Sequence, residues 1–425
     1  MRQTFISLFS LFVSCFILLL GNGLINVLLP VRMGLDGVDT ETIGMVLSLY
    51  FVGLLLGALY SVNLIQRAGH IRMFAGCVAI GAISILICTL SFEPLLWGAM
   101  RVVIGFCNAC AFTAMESWLS ASSSKYTRGK VLAVYNAVAL AGLFGGQFFM
   151  NLANPQDSTL FVIAGILLCG AMIPLVLSRH SGPAIENVNA MSLRALYNIS
   201  PLGVVSCLVS GLIYSAAFNL LPVFASDYNI IDFELSLYVG GAIIGAFILQ
   251  FPVGYLSDRF DRRTVLLNVL IISALVDFLI PSFASSANLT GVFSATAITC
   301  GIIACTYPLS ISEAFDKLQP EQMVAAMGSM ILAFSLGGII GPYAASIVMA
   351  HLGSAWLFNF LAVIQLLLAT FVVYRMMVRR ALPNDKQDTF VMQGAVIAAA
   401  IEIPPHTRGS EQEANEATAT PDLQD

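Results

Sequence analysis

Four ionisable side chains lie inside long apolar stretches of this 425-residue chain: Arg101, Glu116, Asp277 and Glu313. An ionisable group surrounded by hydrocarbon is costly, so each marks a candidate site for binding or proton transfer. Arg101 offers a fixed cation, which lowers the pKa of a neighbouring carboxylate and makes it responsive to what binds nearby. The competing reading has Arg101 snorkelling to an interface, because the loop Ser91-Phe-Glu93-Pro94 is only a few residues away. Glu116 follows fifteen residues later, about 22 Å along a helix at about 1.5 Å per residue, so the two cannot pair directly on one straight helix. Either Glu116 pairs with Arg67 or Arg72, and Glu313 with Arg262 or Arg263, as latches holding the cytoplasmic side shut, or Glu116 faces a cavity and carries a proton or contacts a cation.

Other chemistries find little support. Cys107-Asn-Ala-Cys110 has CxxC spacing, but no second pair or histidine accompanies it, so neither a metal site nor a cofactor is expected. All nine cysteines fall in apolar runs and read as small packing residues. His70, His180, His351 and His406 are scattered over loops and the C-terminal segment. No His-Glu-x-x-His, Gly-x-Ser-x-Gly or Gly-x-x-x-x-Gly-Lys-Ser/Thr occurs, which argues against an enzyme and against ATP-driven work.

The elements that position the four groups are long apolar helices. Hydrophobic residues make up 58% of the chain and charged ones 10%, against about 25% charged in soluble domains. With about 20 apolar residues per crossing, helices are expected near 5–30, 42–64, 73–92, 95–120, 131–152, 159–178, 202–224, 235–257, 264–284, 289–313, 325–350 and 355–377. The first run continues to Leu29, too long for a signal-peptide core, and reads as a retained helix. Twelve crossings put both termini on one side. Fifteen of the nineteen Lys and Arg then fall in the short loops and helix ends of that side, which makes it cytoplasmic. Formal net charge is −5, but residues 381–425 hold eight acidic residues against Lys386 and Arg408, so the acidity belongs to that segment. Its apolar run Phe390 to Ile403 is too short to span a membrane and either lies on the inner membrane surface or belongs to a disordered tail, the reading favoured by the acidic residues that follow.

An internal repeat organises the helices. A shift of 192 residues lays Ser14-Cys15 on Ser206-Cys207, Leu28-Leu-Pro30-Val31 on Leu220-Leu-Pro222-Val223, and Gly53 on Gly245. Further on, Glu116 meets Glu313 and Gly146 meets Gly341 with a slightly larger offset. Such a parallel repeat describes two six-helix halves related by an axis along the membrane normal. The expected division is 1–178, a linker 179–201, 202–378, and a tail 379–425.

The turn Gly254-Tyr-Leu-Ser-Asp258-Arg259-Phe-Asp261-Arg262-Arg263 carries the strongest motif. Gly254, Asp258, Arg259, Arg262 and Arg263 resemble the signature loop of the major facilitator superfamily, with Asp261 where that family usually has a second glycine. Arg101-Val-Val-Ile-Gly105 resembles its helix-four arginine motif, although Cys107 replaces the second glycine. Met115-Glu116-Ser117, Arg128-Gly129-Lys130 and Thr306-Tyr307-Pro308 are similar to the YcaD-type branch. The resemblance implies an all-α integral membrane fold of twelve transmembrane helices in two pseudo-symmetric six-helix bundles. It implies a secondary active transporter working by alternating access in the inner (plasma) membrane, with proton-coupled export as the finer expectation. The alternative is a facilitator-fold sensor or scaffold signalling through the cytoplasmic tail. In relatives the helix-four arginine is associated with proton coupling, and the third, sixth, ninth and twelfth helices are peripheral. Asp277, with Pro281 close behind, is therefore expected as an interfacial acid near the outer surface.

Uncharged polar residues supply the remaining candidate walls for a small-molecule substrate: Asn22, Asn26, Tyr50, Asn108, Asn136, Gln147, Tyr214, Asn219, Tyr238, Gln250 and Tyr307. Helix-to-helix hydrogen bonds account for many of them. In the first half Gln66 stands where the second has Asp258, leaving Arg67, Gly69 and Arg72. A neutral amide cannot match a carboxylate at a helix N-terminus, so the second-half loop is expected to contribute more to the closed-inside state. The expected partners are the substrate, protons and the lipid bilayer; no nucleic acid is expected, and the chain is expected to be a monomer.

Overall fold

The computed structural model describes residues 2–123, 128–177 and 191–378. The expected tail and most of the expected linker lie outside the described residues. Those described form helices joined by short turns: α1 (Arg2–Leu35), α2 (Thr40–Ala68), α3 (His70–Ile87), α4 (Pro94–Ala121), α5 (Arg128–Gln147), α6 (Thr159–Val176), α7 (Leu193–Ile199), α8 (Pro201–Asp227), α9 (Asp232–Arg259), α10 (Arg262–Ser285), α11 (Leu289–Phe315), α12 (Pro320–Leu352) and α13 (Trp356–Val378). Twelve of them are long and apolar enough to cross a membrane.

Local chemistry sets the helix ends, and it explains where they depart from the sequence expectation. α1 runs through Pro30 to Leu35 because a helix among other helices tolerates an internal proline. α3 stops at Ile87, short of the expected end, where Trp97 Nε1 donates to the carbonyls of Cys88 (3.1 Å) and Ser91 (2.9 Å) and holds the turn closed. α5 gives way after Gln147 to a short 3-10 segment, Phe148–Leu152. α12 starts early because Gln319 and Gln322 form a capping box around Pro320. Asp39 caps α2, and hydrogen bonds from the Thr42 backbone and hydroxyl hold its carboxyl below the usual carboxylate range. Asp261 caps α10.

The end of the expected linker carries a short helix. Ser192 caps the short helix α7, whose Leu196 is buried. Met191 donates its N–H to the Ala325 carbonyl at 3.0 Å and accepts from Ser329 Oγ, docking this segment onto the start of α12.

Packing repeats between the two sets of helices. In the first, α2 lies on α4, α1 on α5 and α6, and α3 on α4 and α6; in the second, α9 lies on α11, α8 on α12 and α13, and α10 on α11 and α13. Glycines at repeat-related positions make these contacts. A Cβ at Gly53 would strike the Val102 carbonyl, and one at Gly245 the Ala297 carbonyl. Gly146 lies against the Leu20 carbonyl of α1, Gly341 against the Leu212 carbonyl of α8, and Gly337 against that of Leu208. Close backbone approach of this kind drives helix association where lipid supplies no hydrophobic force. Gly337→Ala is therefore expected to lower the melting temperature in detergent and the yield of folded protein. Gly328→Ala, where a Cβ meets nothing within 4 Å, should leave both unchanged; equal behaviour of the two would refute the packing argument.

One end of the bundle carries Arg67, Arg72, Arg259, Arg262, Arg263 and Lys317, and is called the basic end below. The opposite, acidic end carries Asp36, Asp39, Glu93, Asp157, Asp227 and Asp232.

Candidate functional site

Residues of both halves line a partly open cleft. Asn26, Tyr50, Phe51, Arg101 and Gln147 come from α1, α2, α4 and α5; Tyr214, Phe218, Asn219, Val239 and Phe334 come from α8, α9 and α12. Arg101 lies seven residues into α4, about 10 Å from its start at about 1.5 Å per residue. Its side chain is 2% exposed. Nη1 donates to Asn26 Oδ1 at 3.2 Å, and the guanidinium carbon sits 4.7 Å from the centre of the Tyr50 ring. Nε has no hydrogen-bond partner. The snorkelling reading is corrected: an amide oxygen and an aromatic face hold the cation inside, where the ring quadrupole attracts it.

Behind Arg101 runs a polar ladder. Asn108 Nδ2 donates to the Tyr50 hydroxyl at 3.3 Å and to Asn22 Oδ1 at 2.9 Å, and Asn22 donates to the Leu18 carbonyl at 3.2 Å. Asn22 and Asn108 therefore brace the wall without forming it. Gln147 donates to the carbonyls of Gly23 (3.2 Å) and Leu143 (2.8 Å), which fixes its amide. The facing wall is aromatic. Tyr214 and Phe218 stack one turn apart with centroids at 4.4 Å, and Phe334 lies 5.9 Å from Tyr214. Asn219 donates to the Ser215 carbonyl at 2.9 Å.

The acidic end is closed over this cleft. The Tyr343 N–H donates to Ser48 Oγ at 3.0 Å, Gly44 packs on Ser346 and Pro342, and Gly338 on Phe51. His351 Nδ1 faces Glu41 Oε1 at 3.4 Å. On the other flank Asn151 Nδ2 donates to Ser236 Oγ at 2.9 Å, Ser236 Oγ donates to the Gln147 carbonyl at 2.9 Å, and Gly240 packs on Phe144. These hydrogen bonds and packing contacts join the two halves toward this end.

The repeat of glycine contacts, the cleft between halves and the closure at one end fit one kind of architecture, and the sequence decides which. A profile of the Major Facilitator Superfamily matches residues 11–230 and again 203–405. The chain belongs to the major facilitator superfamily. It is 26% identical over 376 residues to MFS-type transporters named YcaD from Shigella flexneri and Escherichia coli, covering 86% of this chain and 93% of each relative. Solved structures share the fold. A bacterial homologue of the human lysosomal transporter Spinster, in an inward-facing and occupied conformation, superposes with a TM-score of 0.71 at 13% identity, over 88% of this chain and 96% of that one. The nucleoside transporter NupG superposes with a TM-score of 0.69 at 16% identity, over 87% and 98%.

Within this facilitator the cleft gathers Asn26, Tyr50, Arg101 and Asn219 from the expected site, together with Gln147 and Tyr214. The rest lie elsewhere. Tyr238 is buried against Phe293 and shares a hydrogen bond with Thr296 at 3.1 Å. Tyr307 is buried behind Phe334, ring centres 4.8 Å apart. Asn136 and Gln250 are buried without lining the cleft. Phe218 and Phe334 were not expected from the sequence. A Tyr and a Phe four residues apart, at 214 and 218, were the available signal for one of them.

The latch assignments need correcting. Arg67 and Arg72 are exposed and form no ion pair with Glu116. Glu116 is instead buried beside Tyr135 of α5 and Cys15 of α1, outside the cleft. Glu313 pairs with Lys317 and accepts from Ser200 Oγ at 2.7 Å, joining α11 to the start of α8. Arg262 faces Asp316 at 3.0 Å, and Arg263 faces Asp261 at 3.4 Å. Asp316 takes the place foreseen for Glu313 because it stands at the C-cap of α11, nearer the turn. In the first half the position of Arg262 is occupied by His70, whose Nε2 lies 3.1 Å from Ser117 Oγ. Asp258 and Arg259 close α9 beneath the buried Gly254, both exposed, with Arg259 over the Tyr255 ring at 4.3 Å.

Asp277 also departs from expectation. It is fully buried, accepting from Thr299 Oγ1 at 2.7 Å and Gln365 Nε2 at 2.8 Å, while Thr299 shares a hydrogen bond with Ser273 at 2.8 Å. Three helices, α10, α11 and α13, supply these groups, and they spare the carboxyl the need to reach an interface.

Proposed function

We propose that this facilitator is a secondary active transporter of a small molecule, with the cleft around Arg101 as its alternating-access site. The basic end is cytoplasmic in the inner membrane, following the distribution of Lys and Arg, and the conformation is inward-facing. The observation that carries the reading is the cleft itself: it lies between the two halves, is lined from both, and is closed over at the acidic end by contacts between them. Such a site must exchange its open side for the substrate to cross.

The finer reading is proton-coupled export, with Glu116 as the proton carrier. Its support is a buried carboxylate within the membrane, set against Tyr135 and Cys15 in the half that holds Arg101. A screen in reconstituted liposomes, with and without an imposed pH gradient, tests transport and coupling together. Wild-type flux should rise with the gradient, and Glu116→Gln should abolish that rise while leaving exchange at equal pH. A Glu116→Gln protein whose flux keeps its full dependence on the gradient would remove Glu116 from the coupling.

A further inference from the structure

Resting on the transporter reading, we infer the class of substrate: the cleft is built for a small organic anion with a flat apolar body, of which an aromatic carboxylate is the simplest form. The first observation is charge. Arg101 is 2% exposed, its protein partners are one amide oxygen and the face of Tyr50, and its Nε is unpartnered. No carboxylate lines the cleft among the described residues. A buried cation without a counter-charge is costly, and a ligand that brings the anion removes that cost. The guanidinium is planar and presents its donors in a fork that matches a carboxylate.

The second observation is the opposite wall. Tyr214 and Phe218 stack, with Phe334 beside Tyr214, and all three belong to the second half. Such a surface favours an apolar, flat body over a hydrated sugar, because burying unpaired hydroxyls against it is unfavourable. The cation belongs to the first half and the stacked Tyr214–Phe218 pair to the second, so a ligand that touches both bridges the halves. A cationic substrate fits badly here, since it would meet Arg101 with no acid to offset the repulsion.

The test uses the purified full-length protein and four probes: 2-naphthoate, its neutral amide, acetate and chloride. Binding is read by the rise in melting temperature and by calorimetry. 2-Naphthoate should bind, its amide should not, and acetate and chloride should compete only weakly. Arg101→Gln should weaken naphthoate binding by roughly 10- to 100-fold, the range expected for a charge-assisted hydrogen bond, and Arg101→Lys should recover part of the loss. Should Arg101→Gln fail to fold, Phe218→Ala serves independently: it should weaken naphthoate while leaving acetate competition unchanged. Binding of the amide as tightly as the acid overturns the anion assignment. Chloride or acetate competing as well as naphthoate overturns the apolar part. Absence of naphthoate binding overturns the inference as a whole. The transporter reading falls separately, if the liposome screen finds no flux for any compound class; flux of a neutral or cationic compound that ignores Arg101→Gln sinks this inference and leaves that reading standing.

Discussion

Joining Glu41→Cys to His351→Cys across the acidic end with a short, reducible thiol cross-linker is expected to bring transport to background, and reduction is expected to restore it. The two side chains face each other at 3.4 Å from α2 and α12, on opposite halves. Both are substantially exposed, so the reagent can reach them. Opening the acidic end must separate them, because Ser48 and Tyr343, and Gly44 and Ser346, part along the same seam. The link denies the protein one of its two states, so flux should vanish while binding from the basic end survives. Cys169, the exposed native thiol, is first changed to serine. The readout is exchange of the compound found in the liposome screen. Undiminished exchange by fully cross-linked protein would mean that this seam does not open during transport.

The second large effect is on stability. Arg262 and Asp316 form an ion pair at 3.0 Å with side chains 2% and 5% exposed, tying α10 to the end of α11. Breaking one side of a buried pair costs about 3–5 kcal/mol, whereas replacing both partners by apolar groups of similar volume is often close to neutral. Asp316→Asn is therefore expected to lower unfolding stability by about that amount, and the double replacement Arg262→Met with Asp316→Leu to recover most of it. In the first half, Ser117→Ala removes a neutral hydrogen bond to His70 and should cost about 1 kcal/mol. Thermal melting in a mild detergent measures all three. Asp316→Asn melting like the wild type would show that the turn is held by other contacts.

Much of the fold was legible because it is written in patterns that the bilayer enforces. Run length gave twelve crossings, and the offset of Gly53 to Gly245 and Gly146 to Gly341 marked contacts that recur in both halves. The site was legible only where a residue was unusual in hydrocarbon. Arg101 stood out as a charge, yet nothing in its own segment distinguished the cleft from the interface; Asn26 and Tyr50, 75 and 51 positions away, decide that. Asp277 was misplaced for the same reason, since its partners Thr299 and Gln365 come from two other helices. Glu313 was matched to the wrong arginines because spacing alone cannot say which carboxylate of the last turn, 313 or 316, faces the neighbouring loop. The aromatic wall was hidden by abundance: among 28 phenylalanines, Phe218 and Phe334 look like any other packing residue.

The seam at the acidic end is made mainly of glycine, serine, phenylalanine and backbone, with the contact of His351 and Glu41 at its exposed rim. Fit, more than electrostatic attraction, keeps it shut, so added salt has little to screen. Bulk introduced at Gly44 or Ser346 would act as a wedge. A single methyl group at Gly44 would thus favour the arrangement in which this end is parted, giving a handle for raising conformation-selective antibodies.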